Sequence, residues 1–292
     1  MIEYDFPATP DQFYQSHIGK THYRFIHCEQ DDPQTIVMLP GFSIPSSAYY
    51  PFAKAISESG FNVLIIDYYG RGFSVVNPAV KFDYSIKGFS EQVIELLASL
   101  KIDKCVLISF SFGSLVAGNI AAKKSSLITR LVFVSPFHCL QRSLRPFQHY
   151  VLTNSFLGWF VLKYTVRSFI VSDIAEQFSD INKSSISYWG TIGACYQQLQ
   201  LNPTYVSALA ASLSHMTDLD LSVEMQKTTR MSVKALVLFG EMDKLINIEQ
   251  AEKWWIKWMP NVKVIRKENV GHLMFLEDTE EISETIAQFL HR

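Results

Sequence analysis

The chain has 292 residues, enough for one large α/β domain or for one domain carrying an insertion. Hydrophobic residues make up 48% and charged residues 18%, which excludes an intrinsically disordered chain. A formal net charge of -2 implies no basic surface for nucleic acid.

In chain order, residues 21–28 alternate and predict an early strand, and Asp31-Asp32-Pro33 a turn. Thr35 to Leu39 predicts a short apolar strand running into Pro40-Gly41-Phe42. Ser46 to Glu58 has helical spacing, ended by Gly60. Asn62 to Ile66 is continuously apolar, as in a strand buried on both faces of a parallel sheet, and enters the glycine-rich loop Asp67 to Ser74. Ile86 to Leu100 is amphipathic. Strands follow at Cys105–Ile108, Leu131–Val134, Lys234–Phe239 and Val262–Ile265, and helices at Ser114–Lys123, Ile248–Met259 and Thr279–Leu290. This alternation predicts βαβ units, a mostly parallel sheet with helices on both faces. The interval from 137 to 231 breaks the rhythm: it has helical stretches and no convincing strand. It reads as a helical cap inserted after the strand ending near Val134, dividing the core domain into 1–136 and 232–292. One cap helix is expected to open with Asn202 as cap and Pro203 at the first helical position.

Cys28, Cys105, Cys139 and Cys195 show no C-x-x-C spacing, so no metal or redox motif is expected, and free thiols point to the cytoplasm. The first residues, Met1 to Pro7, do not read as a signal peptide. No uniformly apolar stretch of about 20 residues predicts a membrane-spanning helix.

The chemistry centres on Ser109-Phe110-Ser111-Phe112-Gly113, where a strand turns sharply into a helix. A serine at such a turn is presented as a nucleophile, provided a base takes its proton. Histidine suits that task, with a reference pKa of about 6.5. Of eight histidines, only His272 sits in a short loop, Val270-Gly271-His272, between a late strand and the terminal helix. A lone histidine is most often a surface or core residue, but this position favours a base. The acid that fixes its tautomer is expected at the carboxyl end of a strand. Asp243 in Gly240-Glu241-Met242-Asp243 meets that condition, with Glu241 as rival. An oxyanion needs two backbone N–H donors, assigned to Phe42 and Phe112, with Gly41 keeping its loop close.

With Pro40-Gly41-Phe42, Asp67-x-x-Gly70-x-Gly72-x-Ser74, Ser109-x-Ser111-x-Gly113, Gly240-x-x-Asp243 and Gly271-His272 in this order, the chain resembles the α/β-hydrolase fold superfamily, in its cap-bearing serine-hydrolase form. The pieces span about residues 35 to 290, and Ser111, Asp243, His272 follow that family's triad order. Two residues depart from the pattern: Pro40 stands where many relatives carry histidine, and Ser109 replaces the first glycine of G-x-S-x-G. The resemblance implies an esterase or lipase-like enzyme without metal or organic cofactor. Its substrate would be a small apolar ester, chosen by the cap. The Asp67 loop reads as structural.

Candidate substrate-binding residues are Gly41, Tyr49, His138 and Trp159, with Tyr50 also near the expected pocket mouth. The cap stretch Phe147 to Val171 is apolar on most sides, which fits burial first, an acyl pocket second and weak membrane-surface contact third. A monomer or small homo-oligomer is expected. A carbon–carbon bond hydrolase and an acyltransferase could use the same triad, and a non-catalytic binding module could use the same fold.

Overall fold

A computed structural model describes residues 10–137, 154–215, 220–229 and 233–292. The chain forms strands β1 (Gln12–Gln15), β2 (Gly19–Ile26) and β3 (Thr35–Leu39), helix α1 (Tyr50–Glu58), strands β4 (Asn62–Ile66) and β5 (Val75–Val76), and helix α2 (Ile86–Ser99). Then come β6 (Cys105–Phe110), α3 (Gly113–Lys123) and β7 (Ile128–Val134). Helices α4 (Ser155–Gln177), α5 (Ile186–Leu201), α6 (Tyr205–Ser214) and α7 (Ser222–Thr229) precede β8 (Lys234–Gly240). The chain ends with α8 (Ile248–Trp258), β9 (Lys263–Lys267), the short α9 (Met274–Glu277) and α10 (Thr279–Leu290).

Among the described residues nine strands make one sheet in the order β1-β2-β4-β3-β6-β7-β8-β9, with β5 paired to β2. From β4 to β9 every pairing is parallel; β1, β2 and β5 form an antiparallel margin. The central strands are apolar over most of their length because both faces are covered. Ile36, Met38, Val106, Ile108, Val132 and Leu236 point to one core, where α1, α10 and the cap helices pack. Val37, Leu39, Leu107, Leu131, Phe133 and Val237 point to the other, against α2, α3 and Trp255 of α8. Each such aliphatic side chain contributes roughly 2 kcal/mol through burial.

The helices between β7 and β8 make the predicted cap. Leu162, Val166, Ile170 and Ile174 of α4 recur every fourth residue and are buried, while Phe156, Phe160 and Tyr164 lie exposed on its other side. The expectation of a helix apolar on most sides therefore resolves into one packed stripe and one open one. No helix among the described residues is long and apolar enough to cross a membrane. The boundary expected at 231 and 232 falls outside the described residues, as do the first residues, Cys139 and Phe147.

One expectation is corrected. Asn202 does not cap a helix beginning at Pro203: α6 starts at Tyr205, with Thr204 at its N-cap. Asn202 closes α5 instead; its Oδ1 accepts from the Thr204 amide and its Nδ2 donates to the carbonyls of Gly72 and Ser74. The Asn202 side chain thus holds the turn between α5 and α6 through Oδ1 and ties it to the Asp67 loop through Nδ2, and α6 begins only after that turn.

Candidate active site

Strand β6 stops at Phe110, and Ser111 turns the chain into α3 with φ +49°. A left-handed serine is strained by the clash of Cβ with its own backbone, a conformation kept where surrounding contacts impose it. Those contacts are present: the Ser111 amide donates to the Val134 carbonyl at 3.0 Å, and the Ser111 carbonyl accepts from the Ser114 amide and hydroxyl. Gly113 is needed for close approach, since a Cβ there would lie 2.3 Å from the Leu39 carbonyl oxygen. Ser109 needs no glycine. It pairs with Leu39 and Phe133 as ordinary strand, and its hydroxyl donates to the Val132 carbonyl at 3.2 Å.

The Ser111 hydroxyl oxygen lies 2.8 Å from His272 Nε2, and His272 Nδ1 lies 2.7 Å from Asp243 Oδ2. An ionised carboxylate only accepts, so Nδ1 carries the proton and Nε2 is left to accept from Ser111. The other oxygen of Asp243, Oδ1, accepts from the amides of Leu245 and Ile246 at 2.8 and 3.1 Å, which fixes the carboxylate in the turn after β8. Both side chains of the His272–Asp243 pair are excluded from solvent. The rival Glu241 is exposed, and its amide donates to the Lys267 carbonyl.

The loop after β3 passes beside this row. The Gly41 amide donates to the Tyr49 hydroxyl at 2.7 Å, and an added Cβ on Gly41 would stand 3.8 Å from Ser111 Cβ. Arg71 Nε donates to the Phe42 carbonyl at 3.2 Å, and its guanidinium lies 5.2 Å from the Phe42 ring centre. The Ser43 carbonyl accepts from Gln198 Nε2 at 2.6 Å and from the Tyr205 hydroxyl at 3.2 Å. Among the described residues the amides of Phe42 and Phe112 donate to no acceptor. The two rings pack edge-on at 5.3 Å, and Phe137 lies edge-on to His272 at 5.9 Å, so the surroundings of the row are aromatic.

Of the candidate substrate-binding residues, Gly41 flanks the row. Tyr49 is buried beneath the loop, stacked on Phe275 at 4.7 Å, and Tyr50 is buried beside it. Burial pushes the Tyr49 phenol well up, so it stays protonated. Trp159 is half-buried on α4, with Lys163 Nζ 5.0 Å from its ring centre. His138 lies outside the described residues. Sequence reading missed the loop supports Arg71, Ser43, Gln198 and Tyr205. Arg71 is fully buried, with Nη1 unpartnered among the described residues, and burial lowers its pKa to about 10, so it remains a cation at neutral pH. Only its place in the Gly70-Arg71-Gly72 loop could have drawn attention to it. Among the described residues no group of three or more His, Cys, Asp or Glu side chains could hold a metal ion.

Comparison with known proteins agrees with this architecture. An uncharacterised hydrolase of Bacillus subtilis, YugF, is 23% identical over 90% of this chain and 92% of its own. The pimeloyl-(acyl-carrier protein) methyl ester esterase of Vibrio cholerae is 24% identical over 89% of this chain and 95% of its own. Among solved structures, a bromoperoxidase from Bacillus anthracis superposes with a TM-score of 0.79 at 15% identity, covering 97% of this chain and all of the other. The alpha/beta hydrolase fold family model matches residues 34–279, and the chain belongs to that family.

Proposed function

We propose that the chain is a serine hydrolase cleaving carboxylic esters with an apolar acyl group through an acyl-enzyme. The observation that carries this reading is the unbroken row from Asp243 Oδ2 through His272 to Ser111 Oγ, with links of 2.7 and 2.8 Å. Ser111 Oγ attacks the ester carbonyl carbon while its proton moves to His272 Nε2. Asp243 keeps Nδ1 protonated and stabilises the imidazolium that forms. The tetrahedral oxyanion is held by the Phe42 and Phe112 N–H groups, which have no competing acceptor among the described residues. His272 returns the proton to the alkoxide as the carbon–oxygen bond breaks, and the alcohol leaves. Water then attacks the acyl-enzyme, giving its proton to His272, and the carboxylic acid is released as Ser111 recovers its proton.

The half-buried rings of Phe42 and Phe137 favour an apolar acyl group over a charged one. The Vibrio cholerae relative is named as a methyl ester esterase, which agrees with ester cleavage. The test is hydrolysis of p-nitrophenyl butyrate by wild type and by Ser111→Ala. The variant should lose more than about 10⁴-fold in kcat at unchanged thermal midpoint. Wild-type turnover in the variant would refute the mechanism.

A further inference from the structure

The two loops that flank Ser111 come from distant parts of the sheet. The Gly41–Ser43 loop leaves β3 and the His272 loop follows β9, with β6, β7 and β8 between those strands. At about 4.8 Å per strand, their bases stand roughly 19 Å apart. The base and one oxyanion donor thus share no strand that fixes their separation.

The last turn of α4 is hydrogen-bonded to both loops. Ser43 Oγ donates to Asp173 Oδ2 at 2.8 Å, and Gln177 Nε2, one helical turn along, donates to the same oxygen at 2.7 Å. The Gln177 carbonyl, free at the helix end, accepts from the amides of His272 and Leu273 at 2.8 and 3.2 Å. The run Ser43–Asp173–Gln177–His272 is therefore continuous. A second tie lies beside it. Glu277 Oε1 accepts from the Gly271 amide at 2.9 Å, while Oε2 accepts from the Ser179 amide and hydroxyl and from Asn182 Nδ2. A Cβ on Gly271 would come within 2.8 Å of the Ser179 amide nitrogen and 2.9 Å of the Gln177 carbonyl oxygen. Glycine alone allows loop and cap to meet so closely.

We propose that Asp173 is a positioning residue for catalysis, and that through Ser43 and Gln177 the cap helix α4 holds the Phe42 N–H in register with His272. The cap then acts as a clamp joining the two halves of the site, in addition to any part in substrate choice. This rests on the serine-hydrolase reading above. A misplacement of about 1 Å between donor and base costs on the order of 10²-fold in rate, so the link acts on kcat more than on substrate binding.

The experiment measures kcat and KM for p-nitrophenyl butyrate in Asp173→Ala, Asp173→Asn, Ser43→Ala and the Ser43→Ala/Asp173→Ala double variant, with Ser111→Ala as reference. Asp173→Ala and Ser43→Ala should each lose about 10- to 100-fold in kcat with KM little changed. Asp173→Asn, whose amide oxygen still accepts from both Ser43 and Gln177, should recover most of the rate. The double variant should be no slower than the slower single one, since both single variants break the Ser43–Asp173 bond. Wild-type kcat in Asp173→Ala, or losses that multiply in the double variant, would overturn the proposal. If Asp173→Ala does not fold, Ser43→Ala and Asp173→Asn decide: a Ser43→Ala kcat within about twofold of wild type overturns it, and so does an Asp173→Asn as slow as Ser43→Ala. A fully active Ser111→Ala would instead sink the underlying serine mechanism, whatever the Asp173 variants do.

Discussion

In the His272–Asp243 pair, ring Nδ1 stands 2.7 Å from the carboxylate, and in the His22–Asp67 pair the same two atoms are also 2.7 Å apart. All four side chains are buried. The difference lies at Nε2. His272 Nε2 faces the Ser111 hydroxyl, whereas His22 Nε2 faces Asp11 Oδ1 at 2.9 Å. A carboxylate on each side requires both ring nitrogens of His22 to donate, so the ring is held as an imidazolium. Burial opposes that charge most strongly, but the hydrogen bonds and charges of Asp67 and Asp11 outweigh it and raise the His22 pKa. Asp67 behaves correspondingly: burial pushes it up, yet His22 and the amides of Ser46 and Phe73 hold it below its ordinary value. One histidine–aspartate device thus serves two ends. With a hydroxyl as third partner the ring can take a proton; with a second carboxylate it becomes a rivet between β2, the Asp67 loop and the turn at Ser46.

Exchanging each histidine for glutamine separates the two uses. His272→Gln should lower kcat for p-nitrophenyl butyrate by about 10⁴-fold or more while the thermal midpoint holds. His22→Gln should do the reverse. Leaving Asp67 buried without its counter-charge costs about 3 kcal/mol of stability, read by urea unfolding, while turnover of the folded enzyme changes by less than about tenfold. An inactive but fully stable His22→Gln would show that His22 serves turnover and not stability.

A smaller effect is pH dependence. Because the folded pKa of His22 is raised above its ordinary value of 6.5, its stabilisation is fully present below that value and fades as pH rises through the raised folded pKa. The lowered Asp67 and Asp11 contribute in the opposite sense: their stabilisation is present above about pH 4 and is lost as pH falls through their folded values. The stability difference between wild type and His22→Gln should therefore be largest between about pH 4 and 6.5 and shrink on either side. A difference that does not vary with pH would show that His22 acts by packing alone.

The sequence was most legible where burial on two faces leaves no choice of residue. Strands β3 and β4 run over the residues expected from their unbroken apolar runs, and Ser111, Asp243 and His272, chosen from turns after strands, lie in one hydrogen-bonded row. The margin of the sheet was not readable. Strand β1 is Gln12-Phe13-Tyr14-Gln15, half exposed and polar at both ends, and β5 has two residues. The supports of the site were not readable either, because they join residues far apart in the chain: Ser43 to Asp173, Ser43 to Gln198, Phe42 to Arg71. No local pattern encodes such a contact, and Asn202, read as opening a helix, instead closes α5 and bonds to the Asp67 loop.

Activation of Ser111 as a nucleophile by His272 is tested by intact-protein mass spectrometry after treatment with a fluorophosphonate. One adduct is expected, mapped to Ser111, absent in Ser111→Ala, greatly slowed in His272→Gln and retained in folded His22→Gln. An unlabelled wild-type protein, or an adduct that survives in Ser111→Ala, would contradict it.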